Sequence, residues 1–233
     1  MRSSTPQRPL ARAAKRPTAY LDLDGCLVDS RIPIGLSIDR TLADLGVAAL
    51  GPGELDACIG PPIVEGFCTL LLARSMPAAQ AERAVDIYRK FYGPISLEHT
   101  SLVPGIASML RRLTERADAV IVTSKAQPLA EPIVDALGIR GYFDAVVGPS
   151  LNALKESKIE TLQRARAARR IDARDAMIGD RRHDVEAALA HRMHGIGVTW
   201  GIGSREELLD AGAESIIERP DQLIECFADV PGG

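Results

Sequence analysis

The 233-residue chain lacks several features that would settle its class at once. Its four cysteines, Cys26, Cys58, Cys68 and Cys226, are scattered and form no Cys-x-x-Cys pair. That argues against a zinc knuckle or a disulfide framework, and for a reducing compartment. No apolar run approaches the roughly 20 residues of a membrane span, and no signal-peptide core follows the basic N-terminus. No internal repeat is present. The net charge is only −3, so nothing draws the chain as a whole to nucleic acid or to an anionic membrane. The expectation is a cytoplasmic protein with neither a membrane nor a nucleic-acid partner.

What is there is ordinary globular material, 46% apolar and 25% charged, enough for one sizeable core plus a small second module. Charge is unevenly spread. The first 21 residues carry Arg2, Arg8, Arg12, Lys15 and Arg16 and no acid. With two prolines and no apolar stretch, residues 1–16 are expected to form a disordered basic leader; polyanion binding or a transit peptide are the sharper alternatives.

Short β-favouring apolar runs occur at Ala19 to Leu21, Ala119 to Val122, Ala145 to Val147, Ala176 to Ile178 and Ile196 to Val198, with a weaker one at Ser215 to Ile217. Helical patterns separate most of them: Ile106 to Thr114, Pro128 to Leu137, Ser157 to Ala168, Asp184 to Met193 and Glu206 to Ala211. This alternation predicts an α/β fold, a Rossmann-like doubly wound parallel sheet covered on both faces. Between the first two strands the pattern turns wholly helical, at Ile34 to Leu45, Val64 to Leu72 and Ala78 to Phe91, with Pro61-Pro62 suited to opening a helix. Residues 31–100 therefore read as an inserted α-helical cap, and 17–30 with 101–233 as the core.

In such sheets ligands sit at the carboxyl ends of the strands. There the chain places Asp22 and Asp24, then Thr123-Ser124-Lys125, then Gly179-Asp180 with Asp184. Two ionised carboxylates as close as Asp22 and Asp24 repel unless a cation or a shared proton offsets them. Phosphoryl transfer explains the set. It needs an in-line nucleophile, neutralised phosphate oxygens and a proton for the leaving oxygen. Asp22 can attack phosphorus to form an aspartyl-phosphate, and Asp24 can protonate the leaving alkoxide and later deprotonate water. Asp22, Asp24, Asp180 and Asp184 together call for a hard divalent ion, and Mg²⁺ fits. Thr123 can hydrogen-bond the transferring group, and a lysine at 155 or 158 would supply positive charge. Taken singly, each element also has a plain reading: Asp-x-Asp as a loop or cap pair, Gly-Asp as a turn, Thr123-Ser124 as a helix cap, the lysines as surface residues. Their order and their shared strand-end placement favour the site.

In that order, Asp22-Leu23-Asp24-Gly25-Cys26-Leu27-Val28-Asp29-Ser30, Ile121-Val122-Thr123-Ser124-Lys125, Lys158 and Met177-Ile178-Gly179-Asp180-Arg181-Arg182-His183-Asp184 resemble the four motifs of the haloacid dehalogenase superfamily. The likeness spans about residues 18 to 225. It is closest to the phosphoglycolate phosphatase and 5′-nucleotidase-like branch, through Ile59-Gly60-Pro61-Pro62, residues 142–148 and residues 197–203. The resemblance implies a helical cap over the site, Mg²⁺, an aspartyl-phosphate and a small phosphorylated metabolite as substrate, handled by a monomer or homodimer. Lys158 is favoured over Lys155, because Ser157-Lys158-Ile159-Glu160 opens a helix as that branch does. Cys26 departs from the usual threonine and reads as a structural thiol.

A dehalogenase would not need Asp24. A phosphonatase needs a cap lysine for its imine, and between Arg31 and Thr100 only Lys90 is present. A sugar phosphomutase shares the nucleophile and the acid/base, and would form an isomer when given a bisphosphate activator. A non-catalytic binding module fits poorly with Asp22, Asp24 and Asp180 all in place. Arg74 and Arg89 in the cap are expected to make surface ion pairs, and His183 to orient its loop.

Overall fold

The computed structural model describes residues 16–167, 169 and 171–228. Strand β1 (Thr18–Leu21) is followed by a two-residue strand β2 (Val28–Asp29) and helices α1 (Arg31–Asp44), α2 (Ile63–Ala73) and α3 (Ala81–His99). Then come β3 (Ser101–Leu102), α4 (Ile106–Leu113), β4 (Asp118–Val122), α5 (Gln127–Ala136), β5 (Ala145–Val147) and α6 (Lys158–Ala167). The chain continues through β6 (Ala176–Gly179), α7 (Arg182–Ala190), β7 (His194–Val198), α8 (Arg205–Asp210), β8 (Ser215–Ile217) and α9 (Leu223–Cys226).

Six strands form one parallel sheet in the order β5-β4-β1-β6-β7-β8. Strands face opposite sides with a period of two, and burial follows that period. Ala19, Leu21, Ala119, Ile121, Ala176 and Ile178 pack on one face with Ile106, Leu110, Ala130 and Val134. Tyr20, Val120, Val122 and Met177 pack on the other with Leu162, Ala165, Ala187 and Ala188. With both faces covered, these strands can be almost wholly apolar. Winding reverses between β1 and its neighbours, so β1 pairs in parallel with β4 on one side and β6 on the other. That switch point is where an open α/β sheet leaves a crevice.

The helical segment leaves and re-enters the sheet domain through a small hairpin that the sequence pattern did not signal: β2 pairs antiparallel with β3. Two residues per strand are too few to show alternation. The segment has its own apolar core, including Ile38, Leu42, Phe67, Leu71, Val85 and Tyr92. Its third helix differs from the expected Ala78 to Phe91. Residues Ala78–Gln80 form a 3₁₀ turn, and α3 then runs to His99 straight through Pro94. An internal proline costs a helix about 3 kcal/mol. Burial of Tyr92, Ile95 and Ser96 beyond the expected end offsets that loss. In α7 the helix begins at Arg182, so Asp184 lies in its first turn, and it ends before Met193.

Residues 1–15 of the expected leader lie outside the described residues. Arg16 does not belong to a free tail, because its guanidinium donates to the carbonyls of Thr114 and Ala117, the latter at 3.1 Å. Among the described residues no helix is long and apolar enough to cross a membrane.

Candidate active site

Parallel pairing levels the strand ends. Leu21 is in register with Ile121 and with Ile178, so Asp22, Thr123 and Asp180 emerge side by side at the crevice. The Asp22 amide donates to Ile178 O at 2.9 Å, and the Thr123 amide to Val147 O at 3.0 Å. Two glycines let the loops close in. Gly25 adopts φ 84°, and a Cβ there would meet the Asp180 carboxylate at 2.3 Å. A Cβ on Gly179 would fall 2.1 Å from Asp184.

Lys158 reaches the centre from the opposite wall. Ser157 and Glu160 form a capping box that starts α6: the Ser157 amide donates to Glu160 Oε2 at 2.8 Å, and the Glu160 amide to Ser157 Oγ at 3.3 Å. This puts Lys158 in the first turn, a place where the helix dipole disfavours a cation. Its Nζ lies 2.6 Å from Asp22 Oδ1 and 2.9 Å from Asp184 Oδ1, and donates to Val122 O at 3.2 Å. Lys158 is only 5% exposed, whereas Lys155 is exposed at the surface. Of the two lysines, it is Lys158 that lies against the carboxylates.

Carboxylate oxygens of Asp22, Asp180 and Asp184 lie within 4.8 Å of one another, all buried. One ammonium faces three carboxylates, and the imbalance is visible in their proton affinities. Burial, then Asp184 alongside, pushes the Asp180 carboxyl up to about 7. Burial likewise raises Asp22 well above the usual range, against the pull of Lys158. For Lys158 burial opposes the charge, but Asp184 and Asp22 outweigh it and its pKa is raised. Asp180 Oδ2 accepts from the Ile202 amide at 2.8 Å, while its buried Oδ1 has no hydrogen-bond partner. An orphaned buried oxygen in an all-oxygen, charge-deficient cluster fits a hard divalent ion.

Asp24 is placed apart from this group. Expected as a fourth ligand, its carboxylate instead meets Lys125, with Nζ 2.5 Å from Oδ1. Competition for the side chain is the physical reason: the lysine at the end of β4 offers a full counter-charge within reach. Thr123 Oγ1 faces the same pocket and accepts from the Lys125 amide at 3.1 Å. Cys26 is buried with its thiol 3.8 Å from Ile178 O, and burial raises its pKa strongly, so it remains a neutral packing group.

The pocket opens between sheet and cap, lined by Asp22, Asp24, Thr123 and Lys125 from the core and by Ile34, Ile59, Tyr88, Arg89 and Tyr92 from the cap. Arg89 therefore faces the cavity, with Asp86 at 3.7 Å. Arg74 is not a surface residue either. It clamps cap loops through Glu54 at 2.7 Å and the carbonyls of Ala48 and Ala49, both at 2.6 Å. His183 sits half-buried beside Glu186 at 3.7 Å, outside this pocket. The spacing pattern passed over Lys125, Tyr92 and Arg181. Arg181 donates to Glu207 at 2.9 Å and to the cap carbonyls of Asp56, at 3.0 Å, and Ile59. Nothing in the run Asp180-Arg181-Arg182 distinguishes that arginine from its neighbour. Lys125 did stand in a strand-end polar cluster, which was the available signal.

A carboxylate-bearing loop, a buried lysine and an acidic trio at one switch point suit a hydrolase of the phosphoryl-transfer class. The family described as haloacid dehalogenase-like hydrolase matches residues 20–198, and the chain belongs to it. A tyrosine-protein kinase, PtkA, of Mycobacterium tuberculosis is 34% identical over 88% of this chain and 70% of its own length. A 5′-nucleotidase of Pseudomonas aeruginosa is 31% identical over 84% of this chain and 88% of its own. A predicted phosphatase of Clostridium acetobutylicum, known from a crystal structure, superposes with a TM-score of 0.82 at 31% identity, over 90% of this chain and 97% of the other. Within the family the chain is a phosphatase.

Proposed function

We propose that this enzyme is a Mg²⁺-dependent phosphomonoester hydrolase that works through an aspartyl-phosphate on Asp22 and acts on a small phosphorylated metabolite in the cytoplasm. The single observation that carries it is the trio Asp22, Asp180 and Asp184 around Lys158, one cation among three buried carboxylates. Those three residues would hold Mg²⁺. When bound, the ion would neutralise charge on the trio and on the phosphate oxygens.

Asp22 supplies the attacking oxygen, and Lys158, at 2.6 Å, orients it and offsets charge on the transferring group. Thr123, which lines the same pocket, hydrogen-bonds that group through its hydroxyl. Asp24 gives its proton to the leaving oxygen as the ester P–O bond breaks, then takes one from the water that cleaves the aspartyl-phosphate. The cap, residues 31–100, closes the pocket over the core segments 17–30 and 101–233, and monomer or homodimer both suit this arrangement. Phosphoglycolate is the leading substrate class through the branch resemblance; nucleoside monophosphates are the alternative, favoured by the Pseudomonas relative's name.

A second reading comes from the name of the mycobacterial relative: transfer of the phosphoryl group to a tyrosine hydroxyl in place of water. One panel separates them. Phosphoglycolate, nucleotides, sugar phosphates and a tyrosine peptide with a phosphodonor are offered with Mg²⁺. Phosphate release from a metabolite supports the hydrolase; label retained on tyrosine supports the transferase. Near wild-type turnover by Asp22→Asn would sink the covalent mechanism.

A further inference from the structure

Lys125 is a pocket cation that the catalytic scheme leaves unused. It follows Thr123 at the end of β4, and its side chain is 7% exposed. Its Nζ lies 2.5 Å from Asp24 Oδ1 and donates a second hydrogen bond to Tyr92 Oη. The same Nζ sits 4.7 Å from the centroid of the Tyr92 ring. Tyr92 belongs to α3 of the cap and is completely buried. Its ring stacks on Tyr88 with centroids 5.1 Å apart and planes at 19°, and Tyr88 meets Phe67 edge-on at 5.8 Å. The phenol is therefore anchored in the core of the cap while it grips an ammonium belonging to the sheet domain.

A lysine stem is flexible, with four carbons and freely rotating donors, and alone it would not aim its partner. Held by a fixed phenol, it can. We propose that Lys125, gripped by Tyr92, is the positioning residue for Asp24, so that the acid/base is aimed at the leaving oxygen only when the α3 helix of the cap is seated. This rests on the reading of Asp24 as acid/base given above. Proton transfer from a carboxyl demands geometry within a few tenths of an ångström, which explains why a buried tie should run from the cap to that one side chain. The tie also accounts for the separation of Asp24 from the acidic trio only two residues away.

Leaving-group chemistry tests this, because a general acid matters only when the departing oxygen needs a proton. First-turnover release of the alcohol from the fastest alkyl phosphate in the panel is compared with first-turnover release of p-nitrophenolate from p-nitrophenyl phosphate, whose phenolate leaves unaided, all with Mg²⁺. The first turnover reports phosphorylation of Asp22 and not the later water step that both esters share. The variants are Asp24→Asn, Lys125→Met, Tyr92→Phe and Lys125→Arg. Lys125→Met is expected to lower the first-turnover rate on the alkyl ester by roughly 10- to 100-fold. Tyr92→Phe keeps the ring stack and loses one hydrogen bond, for about a 3- to 10-fold drop. On p-nitrophenyl phosphate neither should change the first-turnover rate by more than about threefold, KM should hold for both esters, and Lys125→Arg should recover part of the alkyl rate. Equal losses on the two esters, no loss, or a rise in KM at constant kcat would overturn the inference; the last would make Lys125 a substrate contact. Asp24→Asn distinguishes the two levels of failure. If it does not discriminate between the esters, the acid/base reading itself fails; if it does while the Lys125 and Tyr92 variants do not, only the positioning role fails.

Discussion

Asp22 and Asp24 are separated by one residue, yet they lie in opposite electrostatic situations. Asp22 joins Asp180 and Asp184 around the lone ammonium of Lys158, an unbalanced cluster in which burial and like charge drive carboxyl pKa values up. Asp24 has a cation to itself, Lys125, which is further tied to the cap through Tyr92. An unbalanced site stores repulsion that a divalent ion and a phosphoryl group can relieve, whereas a balanced one holds a side chain still. The three residues Asp22-Leu23-Asp24 that follow β1 divide their two carboxylates between these environments, which is how neighbouring carboxylates acquire different work.

Removing a member of the unbalanced cluster should have the largest effect. Asp22→Asn deletes the attacking oxygen, and phosphatase turnover should fall on the order of 10³-fold or more, by analogy with loss of other covalent nucleophiles. Without Mg²⁺ the variant should melt no lower than wild type, because one of three repelling carboxylates has gone. A variant that loses activity and also melts well below wild type would contradict the imbalance.

Lys158→Met breaks the same cluster from the other side. It leaves three buried carboxylates without a counter-charge, and removing one partner of a buried pair costs about 3–5 kcal/mol. Activity should vanish together with stability, read by thermal melting. Mg²⁺ should restore part of the melting temperature but not the turnover. Lys125→Met, by contrast, leaves a single unpaired carboxylate that is 12% exposed and can reach water, so its destabilisation should be the smaller of the two.

The imbalance also predicts a pH signature. Folded Asp180 holds its proton up to about 7, while an unfolded aspartate releases it near pH 4. The folded state therefore binds the extra proton between those values. Its stability from this group is fully present below about pH 4 and is lost as pH rises towards about 7. The difference in melting temperature between wild type and Asp180→Asn, measured without metal, should move against wild type across that window. Saturating Mg²⁺ should flatten it, since the ion takes the proton's place. A difference that is flat without metal would remove the electrostatic case for a cation at this site.

Much of this was legible in the chain because period-two burial and strand-end polar clusters are local signals. All six sheet strands lie within a residue or two of their apolar runs, and Asp22, Thr123 and Asp180 stand at strand ends, with Asp184 in the first turn of the helix that follows. What escaped depends on distant partners. The expected cap helix ended at Phe91, one residue short of Tyr92 and just before Gly93-Pro94. Only packing in the cap core carries α3 across the proline, and only that brings the phenol to Lys125. The β2–β3 hairpin was too short for any period, and the role of Arg181 depends on carbonyls more than 100 residues away.

Lys155 provides the smallest expected effect and a sharp check on the comparison. It lies three residues before Lys158, equally near the expected place in sequence, but it precedes the Ser157 capping box and remains on the exposed side of the turn. If the cluster's single cation is set by the helix start and not by sequence position, then Lys155→Ala should change stability by less than about 0.5 kcal/mol and leave turnover essentially unaltered. A loss approaching that of Lys158→Met would mean that a second ammonium reaches the carboxylates. The site would then be closer to balance, and the distinction between Asp22 and Asp24 would have to rest more on geometry.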